Sequence, residues 1–122
     1  MIVEKDATVA GIRLHYAEAG AGPALVLVPG QSMPWQSYQR VIPELAKRFH
    51  VFALDVRGHG KSEHTPGHYT FSRCGEDLMA FLREVVKEPA ICCGNSSGGL
   101  ICIYAAANAP AWVRAVLAED PP

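Results

Sequence analysis

Four short apolar runs set the terms on which this chain can fold: ALVLV at 24–28, HVFALD at 50–55, AICC at 90–93 and VRAVLAED at 113–120. Near-continuous apolar runs of this length suit strands covered on both faces, as in a parallel sheet. The stretches between them read as helices. Trp35, Tyr38, Ile42, Leu45 and Phe49 recur at helical spacing, and Pro43 among them predicts a kink or two short helices. From Phe71 to Lys87, Cys74, Leu78, Phe81, Leu82 and Val85 share one helical face. Leu100–Asn108 is apolar nearly all round, which predicts a buried helix. Strand and helix in alternation predict an α/β fold, a mostly parallel sheet flanked by helices with right-handed crossovers. Val3–Lys5 and Ile12–Glu18, around a turn at Ala10-Gly11, add an antiparallel edge and bring the count to six strands. Arg57–Tyr69, rich in Gly, His, Ser and Pro, reads as a surface loop.

The 122 residues correspond to about one domain, and 49% hydrophobic against 19% charged residues is enough for a packed core. A net charge of −1 offers no footprint for nucleic acid or an anionic membrane. The N-terminal residues lack a basic segment followed by an apolar one, and no apolar run approaches the ~20 residues that span a bilayer. The expected location is therefore cytoplasmic. Cys74, Cys92, Cys93 and Cys102 form no C-x-x-C pair and read as reduced thiols.

Between AICC and the last helix lies Gly94-Asn95-Ser96-Ser97-Gly98, a G-x-S-x-G pattern at a strand-to-helix turn. The middle residue of such a turn is strained, and residues two positions away must be nearly bare to avoid collision. The turn lifts the Ser96 hydroxyl to the C-terminal ends of the strands, where α/β folds bind ligands. The Ser97 amide, at the positive end of a helix, can face an oxyanion forming beside Ser96.

Three segments together resemble the N-terminal half of the α/β-hydrolase fold family: LVLVPGQS at 25–32, FALDVRGHGKS at 52–62 and CGNSSGG at 93–99. They are similar, in order, to the family's third strand with its oxyanion loop, its D-x-R-G-x-G-x-S segment and its nucleophile elbow. The resemblance implies that residues 1–122 form the N-terminal portion of such a domain, truncated after about six strands, with the lid and later strands beyond. It implies Ser96 as nucleophile and the amides of Gln31 and Ser97 as oxyanion hole. Most members carry His-Gly where this chain has Pro29-Gly30. Serine at 96 argues against dehalogenase or epoxide hydrolase chemistry, since those relatives attack with a carboxylate.

In DVRGHGKS, Gly58 and Gly60 permit a tight turn and the polar side chains satisfy loop amides. His59, His64 and His68 read as solvated loop residues, with no metal site expected. All five histidines precede Ser96, whereas the family places its base after the acid. The candidate acid is Asp120 in AEDPP, with Glu119 the alternative and a plain polar strand end equally open. The apolar residues Val113, Ala115, Val116 and Leu117 fit a covered interior strand. The expected activity is serine hydrolysis of an ester, lactone or related acyl compound. It needs no cofactor and takes a small molecule as its partner. The rival is a receptor or non-catalytic domain of the same fold.

Overall fold

The computed structural model describes all residues, Met1–Pro122. Six strands are present: β1 (Val3–Val9), β2 (Ile12–Ala19), β3 (Ala24–Val28), β4 (His50–Leu54), β5 (Ala90–Asn95) and β6 (Val113–Glu119). They form one sheet in the order β1-β2-β4-β3-β5-β6. β1 and β2 make an antiparallel hairpin, and β2 runs antiparallel to β4. β4, β3, β5 and β6 are mutually parallel. This is the α/β arrangement that the alternating pattern predicts, with β1 extended to Val9 because the hairpin pairs as far as Val9 and Ile12.

The central apolar runs are continuous because each strand feeds two cores. Val26, Val28, Phe52 and Leu54 face one side, where they pack with Leu78, Phe81, Ile101 and Cys102. Leu25, Leu27, Val51 and Ala53 face the other, against Trp35 and Ile42. Alternate side chains of a strand point to opposite faces, so a strand buried on both sides cannot alternate in polarity.

Pro43 does divide the segment after β3. A 3₁₀ turn, Trp35–Tyr38, precedes α1 (Ile42–Leu45), with Pro43 in the first turn of α1, where a missing N–H costs nothing. The next helix, α2 (Phe71–Phe81), is capped by Thr70, whose hydroxyl accepts from the Arg73 amide at 3.1 Å. Its chain continues as a wider π-type turn, Leu82–Val86, ended by Lys87 at φ 63°.

One expectation is corrected. The last helix, α3 (Ser97–Asn108), buries one face through Gly98, Gly99, Ile101, Cys102 and Ala105, while Ile103 is exposed. It packs mainly on β5, β6 and α2, which leaves its other face open. Within residues 1–122, β6 stands last in the strand order, with Leu117 60% exposed.

Candidate active site

The turn between β5 and α3 has the predicted strain. Ser96 sits at φ 52°, ψ −120°, a left-handed conformation that only glycine adopts freely. Its N–H donates to the Glu119 carbonyl at 2.8 Å and its own carbonyl accepts from Gly99 at 2.9 Å. The bare neighbours are required by space. A side chain at Gly94 would strike the Gly98 carbonyl, and one at Gly98 would strike the Val28 carbonyl.

Serine at a helix N-terminus ordinarily caps it, accepting from an amide one turn in. The Ser96 side chain makes no such bond. The hydroxyl oxygen is thus free of the helix amides.

The loop after β3 comes up against this turn. A Cβ placed on Gly30 would lie 3.0 Å from the Asn95 carbonyl and 3.4 Å from Ser96 Cβ. Gly30 is therefore packed directly on the turn, which puts the Gln31 amide close by. Neither the Gln31 N–H, in a loop outside every helix and strand, nor the Ser97 N–H, in the first turn of α3, donates to a protein acceptor. Both residues line one cavity of about 280 Å³. Ser96 does not itself line it; Gly30 and Ser97, which do, flank Ser96 on two sides.

The segment after β4 holds the cavity together. Asp55, 1% exposed, accepts from the Trp35 amide at 2.7 Å and the Lys61 amide at 2.9 Å. Ser62 donates to the Asp55 carbonyl at 2.6 Å and accepts from the His15 amide at 2.7 Å. Arg57 meets Asp77 of α2 in a two-pronged pair, both contacts 2.8 Å, with both side chains buried. The Asp77 carboxylate holds the guanidinium further above its ordinary range. The expectation that polar side chains here serve loop amides holds for Asp55. The description of Arg57–Tyr69 as surface loop does not hold for its first half, where Arg57 and Ser62 are buried.

The histidines separate. His64 and His68 are exposed. His15 is buried on the β1–β2 hairpin, 2.8 Å from both Glu4 and Asp6. His50 pairs with Glu18. His59, expected to be solvated, is half-buried and lines the cavity with Phe71 and Ile101. A histidine between two glycines looks like loop filler in sequence, because the cavity wall opposite it comes from other elements.

The strand end after β6 is less engaged. Glu119 accepts from the Asn95 side chain at 2.9 Å, and Asp120 is exposed at φ 54° with no hydrogen-bond or ionic partner. No histidine stands beside either, and none of the five follows Ser96 in the chain.

A family model described as the alpha/beta hydrolase fold matches residues 23–122. The chain belongs to the α/β-hydrolase fold family. Bifunctional epoxide hydrolase 2 of Sus scrofa is 35% identical over 115 residues, covering 92% of this chain and 21% of that protein. N-formylmaleamate deformylase of Pseudomonas putida is 35% identical over 114 residues, covering 92% of this chain and 42% of the deformylase. The solved structure of epoxide hydrolase CorEH superposes with a TM-score of 0.94 at 30% identity, covering 99% of this chain and 43% of that one. This α/β-hydrolase chain thus spans between about a fifth and about two fifths of these relatives' lengths. The fold and its N-terminal strand order are shared with hydrolases of more than one chemistry. No helix is long and apolar enough to cross a membrane.

Proposed function

We propose that these residues supply the nucleophile and oxyanion hole of a serine hydrolase acting on an ester, lactone or related acyl compound. The observation that carries the reading is Ser96: a serine held at φ 52°, ψ −120°, whose hydroxyl declines the helix cap beside it. Strain of this kind costs about 1–3 kcal/mol and persists where the surroundings impose it, characteristically at reactive positions. In this reading Ser96 Oγ attacks the acyl carbon. The amides of Gln31 and Ser97 receive the oxyanion, and water releases the acid. Asp120 is retained as a candidate acid, with Glu119 the alternative. The base is assigned to a histidine outside these 122 residues.

The epoxide hydrolases among the relatives suggest epoxide opening as the second reading. The chemistry of residue 96 favours acyl transfer. An alcohol that opened an epoxide would be left as an ether, which water does not cleave. An alcohol that takes an acyl group is left as an ester, which water does cleave. A receptor of the same fold is the third case, and it predicts binding without turnover.

The test uses the gene product that carries this chain. A fluorophosphonate probe is expected to label Ser96, and Ser96→Ala to lower ester hydrolysis by about 10⁴-fold or more. Full esterase activity in Ser96→Ala would refute the mechanism; ligand binding with neither labelling nor turnover would favour the receptor.

A further inference from the structure

We infer that His59 is a substrate-contacting residue, and that the substrate carries an uncharged N–H or O–H group that donates to its Nε2. The inference rests on the hydrolase reading of the same cavity. It begins from the tautomer. His59 Nδ1 lies 3.0 Å from the carbonyl oxygen of Arg57. A carbonyl can only accept, so Nδ1 carries the proton and, in the neutral ring, Nε2 keeps its lone pair. Nε2 has no protein partner.

The ring is also immobilised. The His59 N–H donates to the Val56 carbonyl at 2.8 Å, and its carbonyl accepts from Ser62 at 3.0 Å. Arg57, whose carbonyl orients the imidazole, is itself clamped by Asp77. A side chain fixed at main chain and at one ring nitrogen, with the other nitrogen unpartnered beside a cavity, is pre-organised for one hydrogen bond to whatever enters.

The rest of the wall narrows the ligand. Val56, Phe71 and Ile101 are apolar, which suits an apolar acyl or alcohol portion. Arg57, the one Lys or Arg in the lining, gives Nε and one terminal nitrogen to Asp77 and the other terminal nitrogen to Thr65 at 3.3 Å. No uncommitted cation of that kind faces a carboxylate group. The class that fits this wall is an acyl compound with one hydroxyl or amide N–H beside its apolar part.

The test compares p-nitrophenyl 2- and 3-hydroxybutyrate with their O-methyl ethers, in the gene product carrying this chain and in its His59→Phe and His59→Gln variants. Thermal melts of all three verify folding, and the rate of Ser96 labelling by a fluorophosphonate reads the hydrolase mechanism separately. The natural protein is expected to prefer a hydroxy ester over its ether. In His59→Phe that kcat/KM ratio should fall about tenfold, the loss of one hydrogen bond. His59→Gln, whose amide oxygen accepts, should recover part of it. A natural protein without the preference, or a ratio unchanged in His59→Phe, overturns the inference. So does loss of Ser96 labelling in His59→Phe, which would make His59 part of the nucleophile's own machinery. If the natural protein is not labelled at Ser96, the hydrolase reading has failed on its own. Calorimetric binding of methyl 3-hydroxybutyrate then decides the contact: weaker binding in His59→Phe supports it, and equal binding refutes it.

Discussion

The buried carboxylate of Asp55 accepts the main-chain N–H of Trp35 at 2.7 Å, twenty residues back in the chain. Its other oxygen accepts from Lys61. One side chain thus ties the end of the loop that carries Gln31 to the end of the loop that carries His59. Asp55→Asn keeps one acceptor but turns an amide N–H toward a main-chain N–H. The expected cost is about 2 kcal/mol, since a buried donor loses a charged partner. Urea unfolding at neutral pH measures it. A variant as stable as the parent would show that the two loops are held by other means.

The strain at Ser96 makes a prediction of opposite sign. Glycine adopts φ 52°, ψ −120° without collision, so Ser96→Gly should raise stability by about 1 kcal/mol. The same variant should lose Ser96-dependent hydrolysis altogether. Denaturant midpoints and ester turnover on one preparation give both readings. A destabilised Ser96→Gly would mean that the serine is not strained.

Arg57 and Asp77 test whether the loop after β4 depends on its ion pair. Both side chains are only 5% exposed, so removing one leaves a buried charge alone. Asp77→Ala should cost about 3–5 kcal/mol. Replacing both by apolar residues, Arg57→Met with Asp77→Leu, should cost much less than the two single changes added. Equal additive losses in the double-mutant cycle would show that the residues act independently.

The hairpin contributes a pH dependence. Glu4 and Asp6 lie two apart on β1 and so share a face, and the His15 imidazole on β2 lies between them. Burial works against the charged ring, but the hydrogen bonds to Glu4 and Asp6, with the nearby Asp55 charge, outweigh it. The net shift is upward from 6.5. Asp6 also lies 3.6 Å from Arg13, and Glu4 3.8 Å from Lys61. A raised folded-state pKa means that the stabilisation is complete below the unfolded value. It is lost as pH rises through the folded value. Melting temperature should therefore fall as pH rises from 6 toward 9, and the fall should be smaller in His15→Asn. Identical pH profiles for the two proteins would exclude His15 as the source.

The strands and the elbow were legible in sequence because each is a local consequence of residue type. ALVLV and HVFALD carry too few polar groups for any half-exposed strand, and a serine between Gly94 and Gly98 fits few turns other than the one observed. Pro43 announced the break after Tyr38 for the same reason, since its ring restricts its own backbone. What tertiary structure decided was partnership. The pairing of β2 with β4 rather than β3, Asp55 reaching Trp35, Arg57 reaching Asp77 and His59 facing a cavity all join residues distant in the chain or set by distant walls. The exposure of Ile103 belongs here too. An apolar side chain carries the tendency to be buried, but its burial is settled by the surfaces that fold brings against it, and those are properties of the assembled sheet.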